Sequence, residues 1–308
     1  MGCVRRLATR QPTWRYSSGI VNLVPSVQAL AIPIVRLGPA LFILDRSRRE
    51  IGGGHSRQFS HAETGNVTGM LELGNSITTN AATITLTGAP AEIYNSSGET
   101  NALGTLVANA TTGILSLQSG QKLTTTTNFS NAGKMTVALK SGFAAGGSYT
   151  QTGRTTTVDG TLAASSGLNV QSGTVLGKGT LAAAVTSTGT ITVGDSTAKP
   201  GTLTVTGSYA QNASGALNVA INGTTIGSQY SQLAVSNGVS LGGTLTLKRA
   251  KSFTPAIGDV FTILTGGTVT GEFATVNGLS INSGEHFEIG YTPTAVTLTV
   301  DSGPESRS

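Results

Sequence analysis

From about residue 64 onward, apolar and small polar residues alternate in short runs. Thr83-Ile84-Thr85-Leu86-Thr87, Thr190-Ile191-Thr192-Val193 and Thr202-Leu203-Thr204-Val205-Thr206 are examples. A period of two puts every apolar side chain on one face, the mark of a strand with one buried side. The runs end in Asp159-Gly160, Asn222-Gly223 or Asn237-Gly238, residue types that enter tight corners with little steric cost. After residue 64 no apolar face recurs at helical spacing. The predicted elements are many short strands separated by tight turns.

The strands recur. Gly-Thr-Leu begins at Gly104, Gly160, Gly179, Gly201 and Gly243, at intervals of 56, 19, 22 and 42 residues. These lie near three, one, one and two multiples of about 20. Gly147-Ser148-Tyr149-Thr150-Gln151 returns as Gly207-Ser208-Tyr209-Ala210-Gln211, sixty residues later. A unit of this length, made only of strands and turns, fits one coil of a parallel β-helix, each coil hydrogen-bonded to the next at about 4.8 Å. A set of β-sandwich modules also uses short strands at regular spacing, but recurrence near twenty favours the helix. Twelve or so coils predict a rod on the order of 55 Å long. The period fails from Phe253 to Val300, where Phe253, Phe261, Phe273, Phe287 and Tyr291 gather. Open solenoid ends invite edge pairing and need capping, so 253–300 is predicted to be a C-terminal cap. The expected organisation is a basic and apolar segment over 1–63, irregular or a leader, a β-helix over 64–252, the cap over 253–300 and a tail over 301–308.

Composition agrees with a thin, long core. Of 308 residues only 11% are charged, 5% are aromatic and 38% are hydrophobic, with 42 glycines. The net charge of +5 is unevenly held. Residues 1–57 carry nine Arg against Asp45 and Glu50, a balance of +7; the remaining ten basic and twelve acidic residues leave −2. The basic excess therefore belongs to the first segment, and the body is expected not to bind nucleic acid. In that first segment Arg5, Arg6, Arg10 and Arg15 precede an apolar run from Ile20 to Val35, and Ala29-Leu30-Ala31 has the form of a cleavage site. Pro25, Pro33, Arg36 and Pro39 break the run, so a stable membrane-spanning helix is not expected. A start codon placed too far upstream is the alternative origin of this segment. Cys3 is the single cysteine, so neither a disulfide within the chain nor a cysteine metal site is available.

From Gly173 to Val300 the chain resembles the C-terminal stem of bacterial autotransporter passenger domains of the autotransporter-associated β-strand repeat type. The match runs through Gly177-Lys178-Gly179-Thr180-Leu181, Gly189-Thr190-Ile191-Thr192-Val193-Gly194-Asp195, and Pro200-Gly201-Thr202-Leu203-Thr204-Val205-Thr206-Gly207-Ser208-Tyr209-Ala210-Gln211. It continues at Gln232-Leu233-Ala234-Val235, Leu241-Gly242-Gly243-Thr244-Leu245, Pro255-Ala256-Ile257-Gly258-Asp259-Val260-Phe261-Thr262-Ile263-Leu264-Thr265 and Gly271-Glu272-Phe273-Ala274. The resemblance implies a right-handed β-helix displayed outside a bacterial cell. Two departures stand out: Ser196-Thr197-Ala198-Lys199 is inserted before Pro-Gly-Thr-Leu, and Ser231 replaces an acid before the Gln-Leu strand. Only eight residues follow Val300, fewer than the membrane barrel that the resemblance implies would need, so the expectation is a secreted relative, a fragment or a protein anchored by other means.

Candidate chemistry is sparse. His55, His61 and His286 have no neighbours at metal-ligand spacing and read as surface residues. Asp159 and Asp195 are 36 residues apart, near but not at two coils of 20, and glycosidic hydrolysis needs a pair of carboxylates. Both sit at turns, as Asp259 does, where Asp is favoured for local geometry. Thr85/Thr87, Thr155/Thr157, Thr190/Thr192 and Thr204/Thr206 are Thr-x-Thr rows of the kind that order water on an ice-binding face, though Thr also suits any exposed strand. Asn66, Asn95, Asn109, Asn128, Asn212 and Asn222 open Asn-x-Ser/Thr triplets, which arise by chance in such a composition. No catalytic, cofactor-binding or metal-binding residue is assigned. The expected function is a non-enzymatic extracellular or cell-surface solenoid for adhesion, display or as a stem, with surface glycans or other surface proteins as partners. A polysaccharide-active β-helix enzyme and a fragment without independent function are the alternatives.

Overall fold

The computed structural model describes residues 76–89, 91–95 and 100–303 in full, and the backbone of the strands Ile20–Val24, Val35–Leu37, Ala40–Phe42 and Met70–Leu73. Among these residues there is no helix. The chain winds as a three-sided parallel β-helix. Sheet 1 runs from Thr83–Thr87 through Ile114–Gln118, Thr155–Val158 and Thr244–Arg249 to Thr275–Asn277. Sheet 2 runs from Lys122–Thr125 to Val260–Thr265, and sheet 3 from Thr79–Asn80 to Thr268–Gly271. Each turn of the chain visits sheet 3, then sheet 1, then sheet 2. Inward residues are buried and outward ones partly exposed, as in Thr202–Val205 and Gln232–Val235, so the alternation read from sequence is the core pattern itself.

The coil is close to twenty residues only in the middle of the rod. On sheet 1, Ile114 pairs with Lys134, Lys134 with Thr155 and Thr155 with Thr174. Thr190 then pairs with Ala216, Ala216 with Thr244 and Thr244 with Thr275, steps of 26, 28 and 31 residues. Nine parallel strands of sheet 1 give a length of roughly 38 Å, shorter than expected because later coils use more chain. The two Gly-Ser-Tyr-x-Gln motifs do fall on one sheet, three coils apart, through Tyr149, Leu168, Val185 and Tyr209. The Gly-Thr-Leu motif does not keep to one face. Thr161, Thr180 and Thr202 open strands of sheet 2, but Thr244 opens a strand of sheet 1. The interval of 42 is therefore not two coils.

Parallel pairing continues past residue 252, through Leu233 with Leu264, Val239 with Val269 and Leu245 with Val276. The reversal comes later than the expected boundary. Glu285–Thr292 and Ala295–Ser302 form a hairpin whose second strand lies antiparallel on Val260–Thr265. The gathered aromatics fill the space beneath it: Phe261 is edge-on to Tyr230, Phe253 and Phe287, with ring centroids 5.3, 6.2 and 5.8 Å apart. Such contacts add about 0.5–1.5 kcal/mol each beyond burial. At the other end Ile20–Val24 lies antiparallel on Thr83–Thr87, and Val35–Leu37 pairs with Ala40–Phe42. The remainder of the expected 1–63 segment lies outside the described residues.

Two columns hold the corner between sheets 3 and 1. One is a line of glycines on which successive coils nearly touch. A Cβ on Gly173, where φ is +72°, would lie 1.9 Å from the Gly153 carbonyl oxygen, and one on Gly243 (φ +64°) would lie 2.2 Å from that of Gly215. The other is a buried amide ladder. Asn80 Nδ2 donates to Asn109 Oδ1 at 2.8 Å, Asn109 Nδ2 to Asn131 Oδ1 at 2.7 Å, and Asn131 Nδ2 to Gln151 Oε1 at 3.0 Å. The ladder explains the Tyr-x-Gln motif. Tyr149 and Tyr209 are buried with their hydroxyls on Gln151 and Gln211 Oε1, at 3.2 and 2.8 Å. Gln211 Nε2 in turn donates to the carbonyls of Gly215, Gly242 and Thr244. Burial pushes both tyrosine hydroxyls far up from their ordinary value, so they stay protonated donors.

Gly173→Ala should destabilise the chain by on the order of 3 kcal/mol or more, since it adds a left-handed Cβ and a backbone clash. Gly142→Ala, where the nearest atom to a Cβ is 3.7 Å away, should be close to neutral; denaturant melts of the two variants compare them, and equal losses would refute the close-approach account. Asn109→Ala strands the amides of two neighbouring coils and should cost on the order of 3 kcal/mol in the same measurement.

Candidate functional site

The corner between sheets 1 and 2 behaves differently from the other two. In the middle coils it is two residues long, as between Val158 and Thr161 or Gly177 and Thr180. Its second residue faces the coil below: a Cβ on Gly160 would meet the Ser141 carbonyl oxygen at 2.1 Å, and one on Gly179 that of Gly160 at 2.2 Å. Glycine is therefore fixed at 160 and 179, and the preceding residue, Asp159 or Lys178, is the one that projects. In the next three coils the corner swells into the loops 194–201, 222–231 and 250–259, between the strands ending at Val193, Ile221 and Arg249 and those starting at Thr202, Gln232 and Val260. The inserted Ser196-Thr197-Ala198-Lys199 lies in the first loop, and Asn222 Nδ2 of the second donates to Ala198 O at 2.8 Å. The five large hydrophobic residues exposed among those described are Val107, Leu139, Ile226, Ile257 and Val260. The last four all lie on this corner.

The corner brings together Asp159, Lys178 and Asp195, one from each of three successive coils. Lys178 Nζ donates to Asp195 Oδ2 at 2.8 Å, with the two side chains 49% and 36% exposed. The Lys178 backbone N–H donates to Asp159 Oδ1 at 3.4 Å, a long contact. Partial burial holds the Asp159 carboxyl above its ordinary value, and the Asp195 carboxylate pushes it in the same direction; the Lys178 N–H and charge oppose this and are outweighed. Lys178 is raised in turn, first by its hydrogen bond to Asp195. The pair singled out in the sequence thus does meet, because the coil between Thr174 and Thr190 is short, at 16 residues. The missed member is Lys178; its signal was the flanking Gly177-Lys178-Gly179, which leaves it no direction but outward.

Beside this triad an open groove of about 640 Å³ runs along sheet 2. Its floor is made of small residues in register, Gly142, Thr161, Thr180 and Thr204. Leu139, Lys140, Asp159 and Lys178 stand along its corner side, and Lys122 at one end. Lys140 adopts a left-handed backbone, with φ 67°, at a cost of roughly 1–2 kcal/mol for a residue with a Cβ.

The other candidates fall elsewhere. Asp259 Oδ2 accepts from the Ala256 N–H at 2.9 Å, closing its own turn. His286 is expected on the surface but is 8% exposed, on the first strand of the cap hairpin, with Nδ1 3.1 Å from the Gly303 carbonyl oxygen. His55 and His61 lie outside the described residues, as does Asn66. Asn109 is 1% exposed inside the amide ladder. The rows Thr85/Thr87, Thr155/Thr157 and Thr190/Thr192 share sheet 1, but Lys134, Leu176 and Asn218 interrupt their columns. Thr204/Thr206 belongs to sheet 2. Among the described residues no three His, Cys, Asp or Glu side chains converge as a metal site would need, and no helix is long and apolar enough to cross a membrane.

The fold and this corner define a parallel β-solenoid with one elaborated edge. No protein-family model matches the chain, and comparison with curated proteins finds no match.

Because the Asp159 pKa is raised in the folded state, its ionised form costs stability above that pKa, and the cost is relieved as pH falls through it. Asp159→Asn keeps an oxygen for the Lys178 N–H and cannot ionise. It should melt at the same temperature as the parent or up to ~2–4 °C higher at pH 7, with the gap closing towards pH 4. A lower melting temperature at pH 7 would contradict this assignment.

Proposed function

We propose that this chain is the solenoid of a bacterial surface protein of the autotransporter-passenger kind, working outside the cell in adhesion, display or as a stem. It acts by holding other molecules along its sheet 1–sheet 2 corner and not by turning them over. The observation that carries this reading is the concentration of loops, exposed apolar side chains and the groove on one corner of an otherwise plain rod. In repeat proteins, insertions stacked on one face commonly form the binding edge. The triad supports holding over catalysis. Lys178 engages Asp195 through its ammonium at 2.8 Å, so the Asp195 carboxylate is committed to joining two coils, while Asp159 receives only the long contact from the Lys178 N–H.

A second reading rests on the same triad. A carboxyl with a raised pKa beside an ionised partner is the arrangement of a glycosidase acid and its base or nucleophile. Under that reading Asp159 would donate the proton and Asp195 would serve as the charged partner.

The two readings part in one experiment. The full chain is offered an array of immobilised surface glycans, and is incubated with soluble acidic and neutral polysaccharides while reducing ends are counted. Retention on the array with no new reducing ends is the expected result. Turnover that disappears in the Asp159→Asn/Asp195→Asn double variant would replace the first reading with the second.

A further inference from the structure

The groove on sheet 2 carries a charge that the average composition hides. Between residues 100 and 194 the chain holds Lys122, Lys134, Lys140, Arg154 and Lys178, and a single acid, Asp159. From 195 to 308 seven acids oppose five basic residues. The narrow coils thus carry +4 and the wider ones −2; Glu63, Glu72, Glu92 and Glu99, before residue 100, bring the body as a whole to −2. Three of the five cations, Lys122, Lys140 and Lys178, border the groove, and all three are exposed. They sit on the first, second and fourth of four successive coils, so their backbones span about 14 Å along the rod. The floor between them is shallow and free of bulky side chains, because Gly142, Thr161, Thr180 and Thr204 stack there.

The shape and charge together restrict the ligand. The groove has open ends and runs across several coils, which suits a linear polymer and not a compact molecule. Its floor strands already spend their backbone hydrogen bonds on neighbouring coils, so a peptide could not add as a strand. Single-stranded nucleic acid is held through aromatic platforms as well as cations, but Phe129, Phe143 and Tyr149 in these coils are all within 1% of full burial. Lys178 is already paired with Asp195, so carboxylate or sulfate groups repeated along a sugar chain would meet the two unpaired ammonium groups, Lys122 and Lys140, and the Thr hydroxyls of the floor offer partners to sugar hydroxyls.

We propose that this groove binds a linear anionic glycan, lying along the rod axis with its acidic groups against Lys122 and Lys140. The proposal deepens the holding function above and rests on it.

The test titrates the full chain with oligomers of galacturonic acid, neutral galactose oligomers of equal length and a short single-stranded DNA, at low and moderate salt. Uronate binding should be at least tenfold tighter than that of the neutral oligomer and should weaken as salt rises. The Lys122→Gln/Lys140→Gln variant should lose at least tenfold, while Lys134→Gln/Arg154→Gln, which removes the same charge from sheet 1 and the sheet 3–sheet 1 corner outside the groove, should bind as the parent does. Circular dichroism checks that both variants stay folded. If the neutral oligomer binds as tightly, or the DNA binds more tightly than the uronate, the assignment to an anionic glycan is overturned. A chain that holds only neutral glycans would overturn it while leaving the broader surface-binding reading intact.

Discussion

Every feature of this molecule follows from stacking one coil on the next at the spacing of a β-ladder. That spacing leaves no room for a side chain wherever two coils cross at a tight corner. From Gly113 to Gly243 the corner between sheets 3 and 1 meets the constraint with glycine, and at Gly133, Gly173 and Gly243 that glycine stands against the carbonyl of a glycine one coil away. The polar groups trapped beside it satisfy one another along the stack, Asn80 to Asn109 to Asn131 to Gln151. Left single in an apolar core, each amide would cost several kcal/mol; as a ladder, each coil supplies the partner for the next. Stability in such an array is a sum of nearest-neighbour terms, so this corner fixes register coil by coil, with the amide ladder as far as Gln151 and the glycine column as far as Gly243.

The corner between sheets 1 and 2 is bound by the same rule only where it is two residues long. Once a coil leaves the plane in a loop, only local contacts such as Asn222 Nδ2 to Ala198 O tie it to the coil below, and its length and composition are less constrained. The loops at 194–201, 222–231 and 250–259 use that freedom. So do the residues that project from the tight corners, Asp159 and Lys178, whose following glycines are fixed. Scaffold and binding edge are thus separated by geometry: one corner is constrained to be uniform and the other is released to vary.

The core was legible in the sequence because a β-helix buries every second residue, and Thr202–Val205 or Gln232–Val235 show that alternation without ambiguity. The Gly-Ser-Tyr-x-Gln repeat was legible for a related reason, since the amide and hydroxyl must return to the same corner. The coil length was not. Loops at one corner change the residue count without changing the path of the strands, so twenty residues per coil holds from Ile114 to Thr174 and fails from Thr190 onward. The cap boundary was misplaced for the same reason: the loop 250–259 breaks the sequence period while parallel pairing continues to Asn277. The candidate site was half visible. Asp159 and Asp195 stood out as acids in a chain with few, but Lys178 and Lys140 looked like isolated surface charges, and the basic balance of the middle coils was cancelled in the average by Glu63, Glu72, Glu92 and Glu99 together with the acids after residue 194. His286 was misjudged because a polar residue between Glu285 and Phe287 gives no sign that a later strand will cover it.

The division between a uniform corner and a released one is tested most directly by amide hydrogen exchange on the full chain. The corner amides hydrogen-bonded from coil to coil, such as those of Gly133, Thr174 and Thr244, should be protected together, as one cooperative unit. The amides of 194–201, 222–231 and 250–259 should exchange orders of magnitude faster wherever they are not bonded between coils. Fast exchange at the sheet 3–sheet 1 corner, or protection of the three loops equal to that of the strands, would contradict the account.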